Sequence, residues 1–369
     1  MAQEDERLVK LYKLVTNYTS DEHQRLLPSP EDKSLQWFKS FKFLNPASWA
    51  LSPQKIPYIA ATILIDSYSC LPRRPDMAFS YLWTAINNSY NDLLLKQNTK
   101  SNKLGDTNAI DNSLLLISRI INSKVDSKAT LPEEHESKTI NEILIEFAKR
   151  LPEKNLNFLV SYILKGMAIS IKNSVNSLPL IREIHISSSY RTFEKRFKTI
   201  HNHLYWNFGN KYSSICSISE STDKTSVDFG IADSNRETSR SITHAMRKEL
   251  QRILVNNPEL DQFDEVGNPL PKKVAFTDDI DRLEFLIFGL LYASRNNNIH
   301  GNVASRVNSI FANSKTITAA TWNFLFGYFY LSLLLLSLTH IELDDLDIHL
   351  FNVKLLKITG EESPVVSQT

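Results

Sequence analysis

The chain has 369 residues, with 42 Lys and Arg against 41 Asp and Glu and only nine glycines. A formal net charge of +1 excludes a uniformly basic nucleic-acid binder, whose affinity comes from neutralising phosphates over a whole face. Glycine is far below its usual ~7%, and no two glycines lie within ten residues of each other. Glycine-rich loops that bind dinucleotides or nucleoside triphosphates are therefore excluded as well.

The composition, with 42% hydrophobic residues, is that of a globular protein with one large core or two ordinary ones. Cys70 and Cys216 are the only cysteines, too few for a disulfide framework and without the spacing of a zinc motif. Residues 1–7 are acidic and lack an apolar core, so we expect no secretory or transit peptide. These features predict a cytoplasmic protein with no metal bound through sulfur and no cofactor.

Helical periodicity dominates the first half of the chain. Apolar residues recur at three- and four-residue intervals, as in amphipathic helices, over 56–69, 76–95, 139–150 and 155–172. Two polar stretches rich in Lys, Asn and Ser are predicted to be linkers, namely 97–111 and 123–138.

The second half of the chain is more varied. Residues 213–235 are rich in Ser, Thr and Asp with scattered β-branched residues, which predicts either a small β-hairpin or an ordered loop. Helical periodicity resumes over 236–255, breaks over the proline-containing stretch 257–274, and returns at Asp278. The predicted fold class is therefore all-α, a multi-helix bundle.

The most apolar stretch is Thr321–Leu338, and its length is near the ~20 residues that span a bilayer. It contains Asn323 and Ser332, has no flanking cluster of Lys or Arg, and is followed by an acidic run. We interpret it as the central helix of an all-α core, with a membrane span as the alternative.

A polar block, Arg-Asn-Asn-Asn-Ile-His-Gly, ends the apolar segment that starts near Asp278. Its Arg295 and His300 are five residues apart, and Asn296 follows the arginine. The chain has a second pair with this spacing, Arg196 and His201, but that pair lies on an ordinary amphipathic helix.

The pattern Arg-Asn-x-x-x-His at the end of an apolar helix resembles the Arg-x4–6-His motif of the HEPN superfamily (higher eukaryotes and prokaryotes nucleotide-binding). These are all-α domains, and many of them are metal-independent ribonucleases in which asparagine is the favoured residue after the arginine. Residues 74–90 are similar to the early helix of such domains, where Trp and Asn or Tyr side chains pack beside the motif helix. The resemblance implies a metal-independent RNA endonuclease that acts as a toxin or anti-phage defence effector.

The resemblance also implies a domain organisation. The HEPN-like helical domain would span residues 50–345, and residues 176–275 would be a long insertion that holds the hairpin, if one forms. A helical extension would precede it at 1–50, and a tail would follow at 346–369. The length of the insertion leaves the choice of substrate open.

Cleavage of RNA without a metal requires a base for the 2′-hydroxyl proton, an acid for the leaving 5′-oxygen and a cation for the pentavalent phosphorus. The side chain of His300, with an ordinary pKa of about 6.5, can perform either proton transfer at neutral pH. Arg295 provides a permanent cation in a planar fork that suits phosphate oxygens. Asn296 lies four residues before His300, so on a helix its amide can orient the imidazole or the phosphate.

Five residues of α-helix rotate by about 500°, which leaves Arg295 and His300 about 140° apart. One unbroken helix would therefore not aim both side chains at one phosphate. Either the helix tightens or ends within 297–301, or the site is shared across the two-fold axis of a dimer. Because members of the resembled family generally use a dimer, we expect a homodimer with one composite cleft for RNA. An antitoxin or activator protein is a further partner that the resemblance allows.

The polar block also has a non-catalytic interpretation. Asn and Gly cap helix C-termini, and Arg and His are favourable near the negative end of the helix dipole. The protein would then be a HEPN-fold nucleotide- or RNA-binding module, or a regulatory module that binds proteins. We prefer the catalytic interpretation because a polar block between two long apolar segments implies buried or interfacial polar groups.

The segment Tyr190–Tyr212 interleaves cations with aromatic rings, which suits single-stranded RNA. Its candidate substrate-binding residues are Arg191, Lys195, Arg196 and Lys198. The alternative, which we favour and which is compatible with RNA binding, is a surface helix with solvated charges that buries Phe193, Phe197, Ile200 and Leu204. Neither the His201-x-His203 pair nor the acidic run over 342–349 has the ligand spacing that predicts a metal site.

Overall fold

The structure is a computed structural model. It describes scattered residues between 9 and 25 and the ranges 33–97, 105–127, 136–175, 186–220, 225–228, 233–275, 279–299 and 313–357. The described part of the chain is mostly helical, which confirms the predicted all-α class. Most of the predicted extension at 1–50 before residue 33, and residues 358–369 of the predicted tail, lie outside the described residues.

The helices, in chain order, are α1 (Ala47–Leu51), α2 (Tyr58–Ser69), α3 (Pro75–Lys96), α4 (Asp106–Ser118), α5 (Ile140–Lys149), α6 (Glu153–Val175), α7 (Ser188–Arg196), α8 (Lys198–Leu204), α9 (Asn210–Ser214), α10 (Asp233–Asn256), α11 (Asp279–Phe285), α12 (Ala293–Ile299), α13 (Ser314–Ser337) and α14 (Ile348–Asn352). A π-helical segment joins α8 to α9 (Tyr205–Gly209), and another joins α11 to α12 (Leu286–Tyr292). Short 3₁₀ helices cover Lys33–Ser40, Pro53–Lys55, Leu343–Asp347 and Val353–Leu355. The five periodic stretches predicted as helices are confirmed as α2, α3, α5, α6 and α10.

The strands form three antiparallel pairs: β1 (Lys124–Asp126) with β2 (Ser137–Thr139), β3 (Ser217–Glu220) with β4 (Thr225–Asp228), and β5 (Glu259–Leu260) with β6 (Val274–Ala275). In the second pair, Ile218 lies opposite Val227. Of the two alternatives predicted for residues 213–235, the structure has the hairpin.

The two predicted linkers were partly wrong. Helix α4 begins inside the first one, at Asp106, because Ala109, Ile110 and further residues at helical spacing are buried. The strand pair β1–β2 occupies both ends of the second, where Val125 is fully buried. Neither element was predicted, because each buries only one face and polar residues dominate both stretches. Residues 98–104 and 128–135 lie outside the described residues.

The chain divides into two compact units, Met1–Pro152 with Arg295–Thr369, and Glu153–Ser294. The predicted insertion, residues 176–275, lies inside the second unit, which also includes residues 153–175 and 276–294.

The first unit is built around α13, which packs against α3 and α4. Every residue from 319 to 335 is buried, and the indole of Trp322 donates a 3.0 Å hydrogen bond to the carbonyl of Phe147 in α5. Among the described residues, α13 alone is long and apolar enough to cross a membrane, and 94% of that stretch is buried inside the protein. This packing supports the prediction of a central core helix.

The second unit is arranged around α6, which packs against α7, α9 and α10. Gly166 of α6 admits the ring of Tyr190 so closely that a β-carbon there would lie 2.1 Å from the ring. The hydroxyl of Tyr162 donates a 2.9 Å hydrogen bond to the carbonyl of Gly289. Close contacts of this kind fix α7 and the π segment Leu286–Tyr292 against α6.

Candidate functional site

The segment with the predicted motif is helical from Asp279 to Ile299, with a π-helical turn before the polar block. Residues 286–291 of that turn are buried, and the boundary between the two units falls between Ser294 and Arg295. π-Helical turns are rare in proteins overall, and those that occur are often found at functional sites. His300 lies outside the described residues, so its predicted pairing with Arg295 stays a prediction.

The guanidinium of Arg295 contacts side-chain oxygen atoms of Asn296 and Asp106, both in the first unit. Its Nη1 donates a 2.9 Å hydrogen bond to Oδ1 of Asn296 and lies 3.6 Å from Oδ2 of Asp106. Asp106 is the first residue of α4, and the side chain of Arg295 is 22% exposed. The side chain of Asn296, expected to orient His300 or the phosphate, thus contacts the guanidinium in this structure.

A buried tyrosine lies beside this ion pair. Tyr90 of α3 is fully buried, and burial together with the Asp106 carboxylate raises the pKa of the phenol well above its ordinary value. Arg295 opposes this rise. The phenol therefore stays neutral at physiological pH beside Asp106 and Arg295.

Arg295 lines a pocket of about 360 Å³ in the first unit. All the other lining residues belong to α3: Met77, Phe79, Ser80, Tyr81, Trp83, Thr84 and Asn87. The pocket thus places a cation beside the hydroxyls of Ser80, Tyr81 and Thr84, the amide of Asn87 and aromatic rings. Such a set can bind a phosphate oxygen together with an apolar group.

The basic residues predicted to bind substrate are placed differently from one another. Arg191, Lys195 and Lys198 are exposed on α7 and α8. Arg196 lies within the second unit, where its Nη1 is 2.7 Å from Oε1 of Glu284 and its guanidinium is 3.9 Å above the ring of Phe288. The charge of Arg196 is therefore paired with that of Glu284 inside the unit. Contacts of RNA with Arg191, Lys195 and Lys198 stay a prediction. The residues expected to be buried, Phe193, Phe197, Ile200 and Leu204, are buried, as the surface-helix interpretation requires.

The paired histidines of α8 contact other side chains. Nε2 of His201 lies 3.0 Å from the hydroxyl of Tyr190, and burial lowers the pKa of His201 to about 4. Nε2 of His203 lies 2.8 Å from Oε1 of Glu249. Within the described ranges, no group of three or more His, Cys, Asp or Glu side chains is placed to hold a metal ion.

The acidic run after α13 has a structural role in part. Glu342 and Asp345 form a reciprocal cap on the 3₁₀ helix Leu343–Asp347, and the backbone N–H of Glu342 donates a 2.8 Å hydrogen bond to Asp345. His349, which follows the run, is fully buried with Nε2 2.9 Å from Oγ of Ser332.

Sequence reasoning missed Asp106 and the hydroxyls of the pocket. Asp106 fell in a stretch predicted as a linker, although an acidic residue after Gly105 and before apolar residues at helical spacing is typical of a helix start. Ser80 and Thr84 carry no motif, and only the neighbouring Arg295 distinguishes them from other exposed helix residues.

Taken together, the geometry defines an all-α protein in two compact units, with an arginine-lined pocket in the first. The chain matches no protein-family model, no curated protein and no solved structure.

Proposed function

We propose that this protein is a metal-independent RNA endonuclease of HEPN type, a toxin or anti-phage effector that acts in the cytoplasm as a homodimer. The observation that carries the proposal is the position of Arg295, whose guanidinium forms one wall of a pocket otherwise lined by α3. A permanent cation at the wall of a pocket can stabilise the negative charge of a phosphodiester in its transition state.

In the proposed reaction, the 2′-oxygen of a ribose attacks the adjacent phosphorus while the bond to the 5′-oxygen breaks. Arg295 binds the non-bridging oxygens, and the hydrogen bond from Arg295 to Asn296 fixes the orientation of the fork. His300 takes the proton from the 2′-hydroxyl or gives one to the leaving 5′-oxygen. The products carry a 2′,3′-cyclic phosphate and a 5′-hydroxyl, and the dimer supplies the second proton-transfer group.

Exposed cations on α7 and α8 are proposed to bind the RNA backbone away from the scissile bond. The side chains of Arg191, Lys195 and Lys198 are exposed, whereas those of Phe193 and Phe197 are buried. Phosphates can therefore reach the three cations from solvent. Cations of this kind contribute affinity that falls with salt and carry no sequence information.

A second candidate function is a non-catalytic module of the same fold that binds nucleotides, RNA or a regulatory protein. It is favoured by the contacts of Arg295 with Asp106 and Asn296, which give the arginine a structural role without any substrate. In that case the pocket would bind its ligand without cleaving it.

Cleavage of total RNA in the presence of EDTA tests the proposal. We expect cleavage by the wild type, at least ~100-fold less by Arg295→Ala and His300→Ala, and 2′,3′-cyclic phosphate ends on the products. Arg191→Ala should weaken RNA binding without abolishing cleavage. Arg240→Ala is the matched control, since it removes an exposed arginine of α10 that the proposal does not use, and it should cleave as the wild type does. Unchanged cleavage by both motif variants would reject the assignment, and binding of RNA without cleavage by the wild type would favour the second candidate.

A further inference from the structure

A second pocket, of about 250 Å³, lies in the second unit between the end of α8 and the loop that follows β5. It is lined by the rings of His201, Tyr205, Trp206 and Phe263 and by the acidic residues Asp264 and Glu265. Neither lysine nor arginine lines it in the part of the chain that the structure describes. The pocket is therefore aromatic and negatively charged, unlike the pocket at Arg295.

The rings enclose the pocket at several angles. The centroids of Tyr205 and Trp206 are 5.2 Å apart with an interplanar angle of 82°, and those of Trp206 and Phe263 are 6.3 Å apart at 39°. His201 and Tyr205 are 5.8 Å apart at 32°. Rings packed at these angles present edges as well as faces along the wall of the pocket.

The loop is fastened to the helix so that the wall is preformed. Asn202 accepts a 2.9 Å hydrogen bond from the N–H of Phe263 and donates one of 3.0 Å to its carbonyl. Gly267 adopts φ +90, and a β-carbon there would lie 2.5 Å from the indole of Trp206. Only glycine allows this approach, so the loop backbone holds the indole in place.

The electrostatics of the pocket favour a cation. Asp264 accepts hydrogen bonds from the N–H of Asn268 at 2.8 Å and from its side-chain amide at 2.9 Å, and these bonds hold the pKa of the carboxyl below its ordinary value. Asp264 is therefore ionised at neutral pH, and Glu265 is exposed beside it. Burial lowers the pKa of His201 to about 4, so its imidazole is neutral there and does not repel a cation.

We infer that this pocket binds an alkylammonium group, held between the faces of Tyr205, Trp206 and Phe263 and neutralised by Asp264 and Glu265. Aromatic faces attract cations within about 6 Å, and a quaternary or protonated amine has both the charge and the apolar surface that this lining fits. The same carboxylates repel phosphates, so the site is distinct in its chemistry from RNA binding at Arg295. A free amine, a methylated lysine of another protein and a choline headgroup share this chemistry.

The test is a calorimetric titration of the full chain with choline and with its neutral isostere, 3,3-dimethyl-1-butanol. The two differ only in the charged nitrogen, so a site made by cation–π and carboxylate contacts should bind choline at least ~10-fold more tightly. Equal affinity for the two compounds, or no binding of choline, would overturn the inference. Titrations with trimethyllysine and with phosphatidylcholine vesicles then distinguish a protein side chain from a lipid headgroup as the source.

Single-residue variants separate the contribution of the aromatic rings to choline binding from that of the carboxylates. We expect Trp206→Leu to weaken choline binding by ~10-fold or more and Glu265→Gln to weaken it by ~3-fold. Glu259→Gln is the matched control, because Glu259 is an exposed acid of the same unit that does not line the pocket. If Glu259→Gln weakened binding as much as Glu265→Gln, the effect would be one of net charge and the inference would fail. Thermal unfolding of each variant confirms that the fold is kept.

Discussion

The guanidinium of Arg295 lies 3.6 Å from the carboxylate of Asp106, the first residue of α4. The contact joins the predicted catalytic arginine to α4. The start of this helix was predicted to be a linker because residues 97–111 are mostly polar. An acid at this distance limits the orientations of the fork without neutralising it through a close hydrogen bond. Asp106 therefore acts, under the proposed function, as a positioning residue for Arg295.

Asp106→Asn should lower kcat for RNA cleavage by ~10- to 100-fold, because the fork of Arg295 loses its fixed orientation towards the phosphate. KM should not rise, since the charge of Arg295 remains and attracts phosphate without competition from the carboxylate. Steady-state kinetics on a defined RNA measure both constants. Asp92→Asn, on the neighbouring α3, is the control and should behave as the wild type; an unchanged kcat in Asp106→Asn would show that the contact does not position Arg295.

Thr84→Glu should weaken RNA binding by ~10-fold, because it places a negative charge in the pocket that Arg295 lines. Fluorescence anisotropy with labelled RNA measures the change in Kd. The matched control is Thr62→Glu on α2, since both threonines are exposed and both bond the carbonyl four residues earlier. Equal loss in the two variants would mean that the pocket has no special part in binding.

The free energy of unfolding should fall as the pH is lowered from 6.5 towards 4. Burial lowers the pKa of His349 to about 3 and that of His201 to about 4, so below their ordinary pKa the unfolded chain binds protons that the folded chain does not. Each such histidine contributes about 1.4 kcal/mol per pH unit in that window. Urea unfolding at pH 7, 6 and 5 measures the slope, and His349→Asn should reduce it. A slope identical in this variant and the wild type would contradict the buried, neutral state of His349.

Gly166→Ala should destabilise the protein by ~1–3 kcal/mol, because the new β-carbon meets the ring of Tyr190 at 2.1 Å. The sign of the change in the free energy of unfolding is informative, since alanine in place of glycine in a helix otherwise stabilises a protein by ~1 kcal/mol. Gly289→Ala is the control: its β-carbon would make ordinary contacts of 3.5 Å with Leu159 and Tyr162, so it should be neutral or stabilising. Urea unfolding gives both values, and a stabilised Gly166→Ala would refute the packing of α6 against Tyr190.

The sequence predicted the long helices because their apolar residues repeat at 3.6-residue spacing, a local property that survives in any surroundings. It failed at the start of α4 and at the strand pair β1–β2, because polar residues dominate the composition of residues 97–111 and 123–138. It also left the hairpin at residues 217–228 undecided, since β-branched residues among Ser and Thr suit a loop as well as a strand.

By itself the sequence determined the all-α class, the apolar character of α13 and the candidacy of Arg295, because each depends on residue type and local spacing. Only the tertiary structure decided what surrounds Arg295: Asp106 comes from α4 and the rest of the pocket lining from α3, and no spacing along the chain relates them. The aromatic pocket on the second unit has the same origin, since His201 of α8 and the rings of the π segment after it meet Phe263 and Asp264 only when the loop folds back. Sites formed by segments distant in sequence are set by packing, which periodicity does not encode.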